Sequence, residues 1–320
     1  MKFLFTMILA IFVLPSDSKS QPPADGKELI IFHAGSLSVP LKKIAQEYEK
    51  RNPGTMIFLE SAGSLDCARK VIDLKKPCDI VASSDYYVIA KLLIPDYASW
   101  NIKFATNEIV IAYTDKSKYS KEIKSDNWMD ILQKKDVIYS RSDPNSDPCG
   151  YRTIFTFMLA EKYYNRPGLT ENMSAKNKDY IRPKEVDLVA LMESNAIDYM
   201  FQYKSVAIQH GLKYLELPKA INLSDPSKTD IYSSVSTEVT GNKPGAKMKV
   251  TGDFISYSIT ILDKAPQKEA AIKFLEFLLS PVGLDIFRKN GQNPITPPVA
   301  KPFELLPPGL KEYLSGIKRI

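Results

Sequence analysis

What most constrains this chain is a short apolar run followed by a helical one, repeated from residue 28 onward. ELIIFHA (Glu28 to Ala34) is strand-like and is closed by the loop GSLS. VPLKKIAQEYEKR follows with Val39, Leu41, Ile44, Ala45 and Tyr48 at helical spacing, and Asn52-Pro53-Gly54 ends it. TMIFLE, SAGS, LDCARKVIDLKK, CDIVASS and DYYVIAKLLI then run strand, loop, helix, strand, helix. Strands joined through helices cannot pair as hairpins, so the alternation predicts a parallel sheet covered on both faces.

A second alternating unit follows. KFATNEIVIAYT reads as one long strand, NWMDILQKK as a helix and VIYSRS as a strand, and CGYRTIFTFMLAEKYYN predicts the longest helix. After a polar segment from Arg166 to Ile181, PKEVDLVALMES, DYMFQY, KSVAIQHG and KYLELP read as helix, strand, helix, strand. SVSTEVTG and GDFISYSITILD are β-rich. PQKEAAIKFLEFLLS and PVGLDIFRKN are helices with no sheet of their own after them, so they must pack back on the first unit. The expected architecture is α/β with two lobes, each a mixed, mainly parallel sheet flanked by helices, and a ligand cleft between them. Lobe 1 is discontinuous, residues 27–112 plus 255–320, and lobe 2 is residues 113–254.

A length of 320 residues suits two domains. The formal charge of +6 is spread in mixed-sign clusters, without the Lys/Arg block or basic-aromatic interleaving of a nucleic-acid groove, so nucleic acid is excluded as a partner. Residues 1–20 carry one Lys, an apolar run from Phe3 to Leu14 and then small polar residues, the pattern of a secretory signal or an N-terminal anchor, and residues 21–27 form a linker. No cysteine near its end offers a lipid-anchor site. The expected location is therefore outside the cytoplasmic membrane, free or tethered. Asn172 and Asn222 stand in N-x-S frames, which in an exported chain read as glycosylation acceptors. Cys67, Cys78 and Cys149 lack metal-ligand spacing and read as small buried residues, Cys67 with Cys78 being the one pair considered for a disulfide.

Two strand-end loops share one composition: His33-Ala34-Gly35-Ser36 and Ser61-Ala62-Gly63-Ser64. In open α/β sheets ligands bind beyond the carboxyl ends of the strands, where Gly permits close backbone approach and helix N-termini present free N–H groups. Each serine could simply cap its helix, but two such loops at equivalent places favour a bound anion. Neither turn holds Lys or Arg, so the donors are neutral, which suits reversible oxyanion capture better than chemistry on a phosphate ester. In SDPNSDPCGYR, Asp147 before Pro148 is a helix-starting pair, cap followed by first helical residue. Glu185, after Pro183, stands where an acid meets a helix dipole, and Tyr203 ends an apolar strand as a core or rim aromatic. His33 reads as packed, and Arg69 and Arg152 as ion-pair formers that stabilise the lobes.

Strand-HAGSLSVPL, SAGS with CARK shortly after, DPCGYR, and RPKEVDLVALMES followed by DYMFQYKSVA together resemble the tungstate/molybdate-binding proteins of archaeal-type ABC importers. The likeness runs through essentially the whole exported part, including ITILDKAP and FLLSPVG. It implies a type II periplasmic-binding-protein fold, usually monomeric, without a cofactor, that closes over one tungstate or molybdate and delivers it to a membrane permease with its cytoplasmic ATPase. Carried over by residue, the implied ligand contacts are Gly35, Ser36 and Ser64 in lobe 1, and Asp147 with the backbone of Pro148 and Cys149, Glu185 and Tyr203 in lobe 2. Asp147 and Glu185 would be direct carboxylate ligands of the metal centre. Capture of sulfate or phosphate is the neighbouring alternative. A secreted serine hydrolase is disfavoured, because there is no G-x-S-x-G elbow and neither His33 nor His210 fits a triad.

Overall fold

The computed structural model describes residues 27–241 and 245–315. The segment read as a signal or anchor, with nearly all of its linker, lies outside the described residues. Among the described residues no helix is long and apolar enough to cross a membrane.

Among the described residues twelve strands form three sheets: β1 (Lys27–Ala34), β2 (Thr55–Ala62), β3 (Ile80–Ser83), β4 (Asn101–Thr106), β5 (Ile109–Tyr113), β6 (Tyr139–Ser140), β7 (Tyr199–Tyr203), β8 (Lys213–Glu216), β9 (Ser236–Thr240), β10 (Lys247–Thr251), β11 (Ser256–Ile261) and β12 (Asn293–Lys301). A six-stranded sheet has the order β12-β4-β11-β3-β1-β2, a four-stranded sheet the order β6-β7-β5-β8, and β9 and β10 pair alone as a hairpin. Helices flank the two larger sheets. Ser38–Arg51, Ser64–Ile72 and Lys268–Leu278 pack on the first, and Tyr48 meets Phe274 edge-on with ring centroids 5.3 Å apart. The core of the second is built on Phe201, met edge-on by Trp128, Tyr139 and Phe157.

The sheets are mixed, as expected, but not mainly parallel. β1 pairs in parallel with β2 and β3, whereas β11 is antiparallel to β3 and β4, and β12 is antiparallel to β4. In the second sheet only β6–β7 is parallel. The reason is connectivity: a strand that re-enters a sheet after building another one is not bound by the strand–helix–strand crossover that enforces parallel direction.

Two further expectations change. KFATNEIVIAYT is divided between sheets, β4 ending at Thr106 in the first and β5 starting at Ile109 in the second. Asn107 makes the break, its Oδ1 accepting from Glu108 N at 2.9 Å while Nδ2 donates to Ser205 Oγ and Tyr257 OH. After the last long helices, where no further strand was read, comes β12, which joins the first sheet and contains Pro294, Pro297 and Pro298. It lies at the sheet edge, where missing N–H groups are tolerated, and its register shifts between Pro294 and Val299.

The three cysteines are free and buried, so the considered Cys67–Cys78 bridge is absent. Cys67 Sγ lies 3.4 Å from His33 O and Cys78 Sγ 3.0 Å from Ile80 O. Asn222 is buried, with Nδ2 donating to Glu108 Oε2 at 2.8 Å and to Leu217 O at 3.1 Å, and offers no glycosylation site.

Candidate functional site

β2, β1 and β3 are neighbours running the same way, so the turns at their carboxyl ends lie side by side. Gly35 and Ser36 open the turn after β1, Gly63 precedes the helix Ser64–Ile72 after β2, and Ser84 and Asp85 follow β3. Two segments beside the second sheet face them, 142–147 and 182–186. They are tied together by a parallel bridge between Ser142 and Arg182 and by Asp143 N donating to Arg182 O at 2.8 Å.

Asp147 caps the helix Pro148–Tyr163 as expected, Oδ1 accepting from Cys149 N at 3.0 Å with Pro148 in the first helical position. Its second oxygen is also engaged, Oδ2 accepting from Glu185 N at 2.8 Å. Glu185 stands just before the cap residue of the helix Asp187–Glu193. Its carbonyl accepts from Gln202 Nε2 at 2.8 Å, and its carboxylate turns toward the first sheet. There Oε1 accepts from the Ser36 N–H, while Oε2 is buried with no hydrogen-bond donor among the described residues. Gly35 makes the approach possible: a Cβ on it would lie 2.9 Å from Glu185 Oε2 and 2.9 Å from Val186 Cγ2.

Both carboxyl groups are fully buried. Burial first, and then the neighbouring Glu185 carboxylate, hold the Asp147 carboxyl well above the usual carboxylate range. Two ionised carboxylates buried side by side between facing loops are costly, and a shared proton or an electron-poor centre between them relieves that cost.

The neutral donors are built around these acids. Ser36 Oγ accepts from Tyr257 OH at 2.9 Å, and Tyr257 OH accepts from Asn107, which leaves the Ser36 hydroxyl proton unspent. Gln292 Nε2 fixes the same turn by donating to Ser36 O at 2.9 Å. Ser64 Oγ accepts from Ser84 N at 3.1 Å and lies 3.2 Å from Ser84 Oγ. Tyr203 is buried, its hydroxyl accepting from Arg152 Nη1 at 2.8 Å and lying 3.4 Å from Ser84 Oγ. Cys149 N–H is engaged by Asp147, its Sγ lies 3.9 Å from Phe201 O, and Pro148 has no N–H to give. The expected residues thus fall into one group of Gly35, Ser36, Asp147, Pro148, Cys149 and Glu185, and an adjoining one of Ser64 and Tyr203.

Arg69 and Arg152 both form ion pairs, but the pair of Arg152 crosses between the two sheets rather than stabilising one lobe. Arg152 Nη2 lies 3.2 Å from Asp85 Oδ2, and Arg69 Nη1 3.1 Å from Asp66 Oδ1. Arg69 also donates to Asn145 O at 2.7 Å and Thr240 O at 3.1 Å. His33 is packed, Nδ1 at 2.8 Å from Ala34 O. The loops of the two sheets touch directly: Leu65 N donates to Ser146 O at 3.2 Å, and a Cβ on Gly63 would lie 2.2 Å from that oxygen. Sequence reading missed Ser84, Asp85, Tyr257, Gln202 and Gln292. Only Ser84-Asp85 carried a signal, as a polar pair at the end of a third parallel strand; the others arrive from remote segments.

Comparison with known proteins gives the family and the fold. The family profile described as bacterial extracellular solute-binding protein matches residues 29–293. A relative from Pyrococcus abyssi named molybdate/tungstate-binding protein WtpA is 47% identical over 302 residues, covering 85% of this chain and 86% of its own. Among solved structures, the Azotobacter vinelandii periplasmic molybdate-binding protein superposes with a TM-score of 0.61 at 16% identity, covering 82% of this chain and 98% of that one. The sulfate-binding protein SubI of Mycobacterium tuberculosis gives a TM-score of 0.62 at 12% identity over 92% of each chain, so the fold by itself does not choose between oxyanions. The chain belongs to the extracellular solute-binding protein family, alongside the archaeal relatives named WtpA, and is a solute-binding protein rather than an enzyme.

Proposed function

We propose that this chain is the extracytoplasmic binding protein of an ABC importer, that it captures tungstate or molybdate, and that Asp147 and Glu185 complete six-coordination of the metal centre. The anion would lie between two lobes, with the Ser36 hydroxyl and the Ser64 hydroxyl as donors from the first. Sheet membership changes at Asn107 and returns at Ser256, so we draw the lobes as 27–107 plus 255–320 and 108–254, a shift of the first boundary from 112.

The observation that carries the reading is Glu185 Oε2, buried beside Asp147 and without a hydrogen-bond donor among the described residues. Two carboxylates repel a simple anion, the more so where water is excluded. Tungsten(VI) and molybdenum(VI) are highly charged Lewis-acid centres that take hard oxygen ligands beyond four, whereas sulfur and phosphorus in sulfate and phosphate do not. The same two groups therefore attract one class of oxyanion and repel the other. The name of the Pyrococcus relative supports this choice.

The protein would work at the outer face of the cell membrane as a monomer, free or tethered at its N-terminus, and pass its cargo to a permease driven by a cytoplasmic ATPase. Calorimetric titration with tungstate, molybdate, sulfate and phosphate tests the reading. Tight binding of the first two with weak or no binding of the others is expected, and sulfate bound as tightly as tungstate would remove the coordination argument.

A further inference from the structure

The geometry points to Arg152 as a positioning residue that holds the cleft shut and so sets how long the captured anion stays; this rests on the two-lobed reading above. Arg152 lies on the helix Pro148–Tyr163, which packs on β5 and β7 of the second sheet. Two of its partners belong to the turn after β3 in the first sheet: Nη1 donates to Ser84 O at 2.6 Å and Nη2 pairs with Asp85 Oδ2 at 3.2 Å. The adjacent Tyr151 hydroxyl donates to the same Asp85 oxygen. Arg152, Asp85, Tyr151 and Ser84 are all buried.

Each half of this network also has a bond within its own unit. Asp85 Oδ1 still caps its own short helix by accepting from Tyr87 N at 2.9 Å, and Arg152 keeps Tyr203 OH at 2.8 Å. Both charges are buried where the two sheets' loops meet, and a buried charge left without its partner is heavily penalised. The ion pair thus belongs to the closed state and not to the folding of either lobe. It also reaches the anion donors: Arg152 grips the carbonyl of Ser84, whose N–H and hydroxyl position Ser64 Oγ.

The test is anion release by the mature protein, followed by stopped-flow protein fluorescence with molybdate and tungstate as probes, in Arg152→Met, Asp85→Asn and the double variant. Release should quicken by about 10- to 100-fold in each single variant, with association within about 3-fold of wild type and the ligand-free unfolding temperature unchanged. The double variant should release more slowly than the worse single one, because an empty pair leaves no uncompensated charge. Unchanged release, or a lowered ligand-free unfolding temperature with unchanged release, would overturn the assignment and make Arg152 a structural residue. Should the wild type bind only sulfate or phosphate, the site reading fails and the latch is tested with that anion. Binding of none of the four overturns both.

Discussion

Gly63→Ala separates closure from folding. Gly63 has φ −60° and ψ 146°, a conformation any residue adopts, so alanine costs nothing in backbone strain. Its methyl group, however, would lie 2.2 Å from Ser146 O, 2.8 Å from Ser146 C and 3.2 Å from Pro183 O. Carbon and oxygen sit comfortably at roughly 3.3 Å or more, so the opposing segment must withdraw by about 1 Å. That stretches the bond from Leu65 N to Ser146 O, 3.2 Å in the native chain, beyond hydrogen-bonding range. It also draws Asp147, the next residue, and the Glu185 it holds away from Ser36. A displacement of about 1 Å in a positioned site costs roughly 100-fold, or about 2.7 kcal/mol. Calorimetric titration should show tungstate affinity lowered by about that factor, while the ligand-free protein unfolds at the wild-type temperature. Gly150→Ala is the control: its Cβ would lie 2.5 Å from Ser142 O and 2.6 Å from Pro144 N, within its own unit, so it should lower the unfolding temperature. Wild-type affinity in Gly63→Ala, or a loss of stability like that of Gly150→Ala, would refute the idea that Gly63 serves closure.

Three further outcomes follow from the site and its surroundings. Glu185→Gln should weaken tungstate far more than any residual sulfate binding, whereas equal losses in parallel titrations would make Glu185 structural. His33, lowered to about 4 by burial, is neutral in the folded chain. Below about pH 6.5 the unfolded chain binds the extra proton, so stability falls progressively toward pH 4, by about 3 kcal/mol for this group, and unfolding midpoints of His33→Asn should lack that part of the slope. Burial pushes the Cys78 thiol up to about 12 and holds Cys67 and Cys149 above the ordinary thiol range, so native protein should resist thiol reagents and titrate as three thiols once unfolded; rapid native labelling would contradict their burial.

Local chemistry explains what could be read from the sequence. The Asp147 cap was legible because the bond it makes is two residues away and Pro148 marks the helix start. Gly35 and Gly63 were legible as loop glycines, but not their reason, which is Glu185 opposite one and Ser146 opposite the other. The contact between Asp147 and Glu185 crosses 38 positions and runs through a backbone N–H, and no spacing rule reports such a bond. Strand identity was obscured where residue types conflict with role: three prolines hid β12, and two polar residues inside an apolar run hid the change of sheet between β4 and β5. Arg152 was recognisable as an ion-pair former, but Asp85 is remote in sequence and had no reason to be matched with it.

The claim that Asp147 and Glu185 ligate the metal centre is tested most directly by X-ray absorption at the tungsten edge of the tungstate complex. Six oxygen neighbours in the wild type, falling in Glu185→Ala and in Asp147→Ala, are what the account predicts. Four oxygen neighbours in the wild-type complex, unchanged in both variants, would contradict it whatever the affinity.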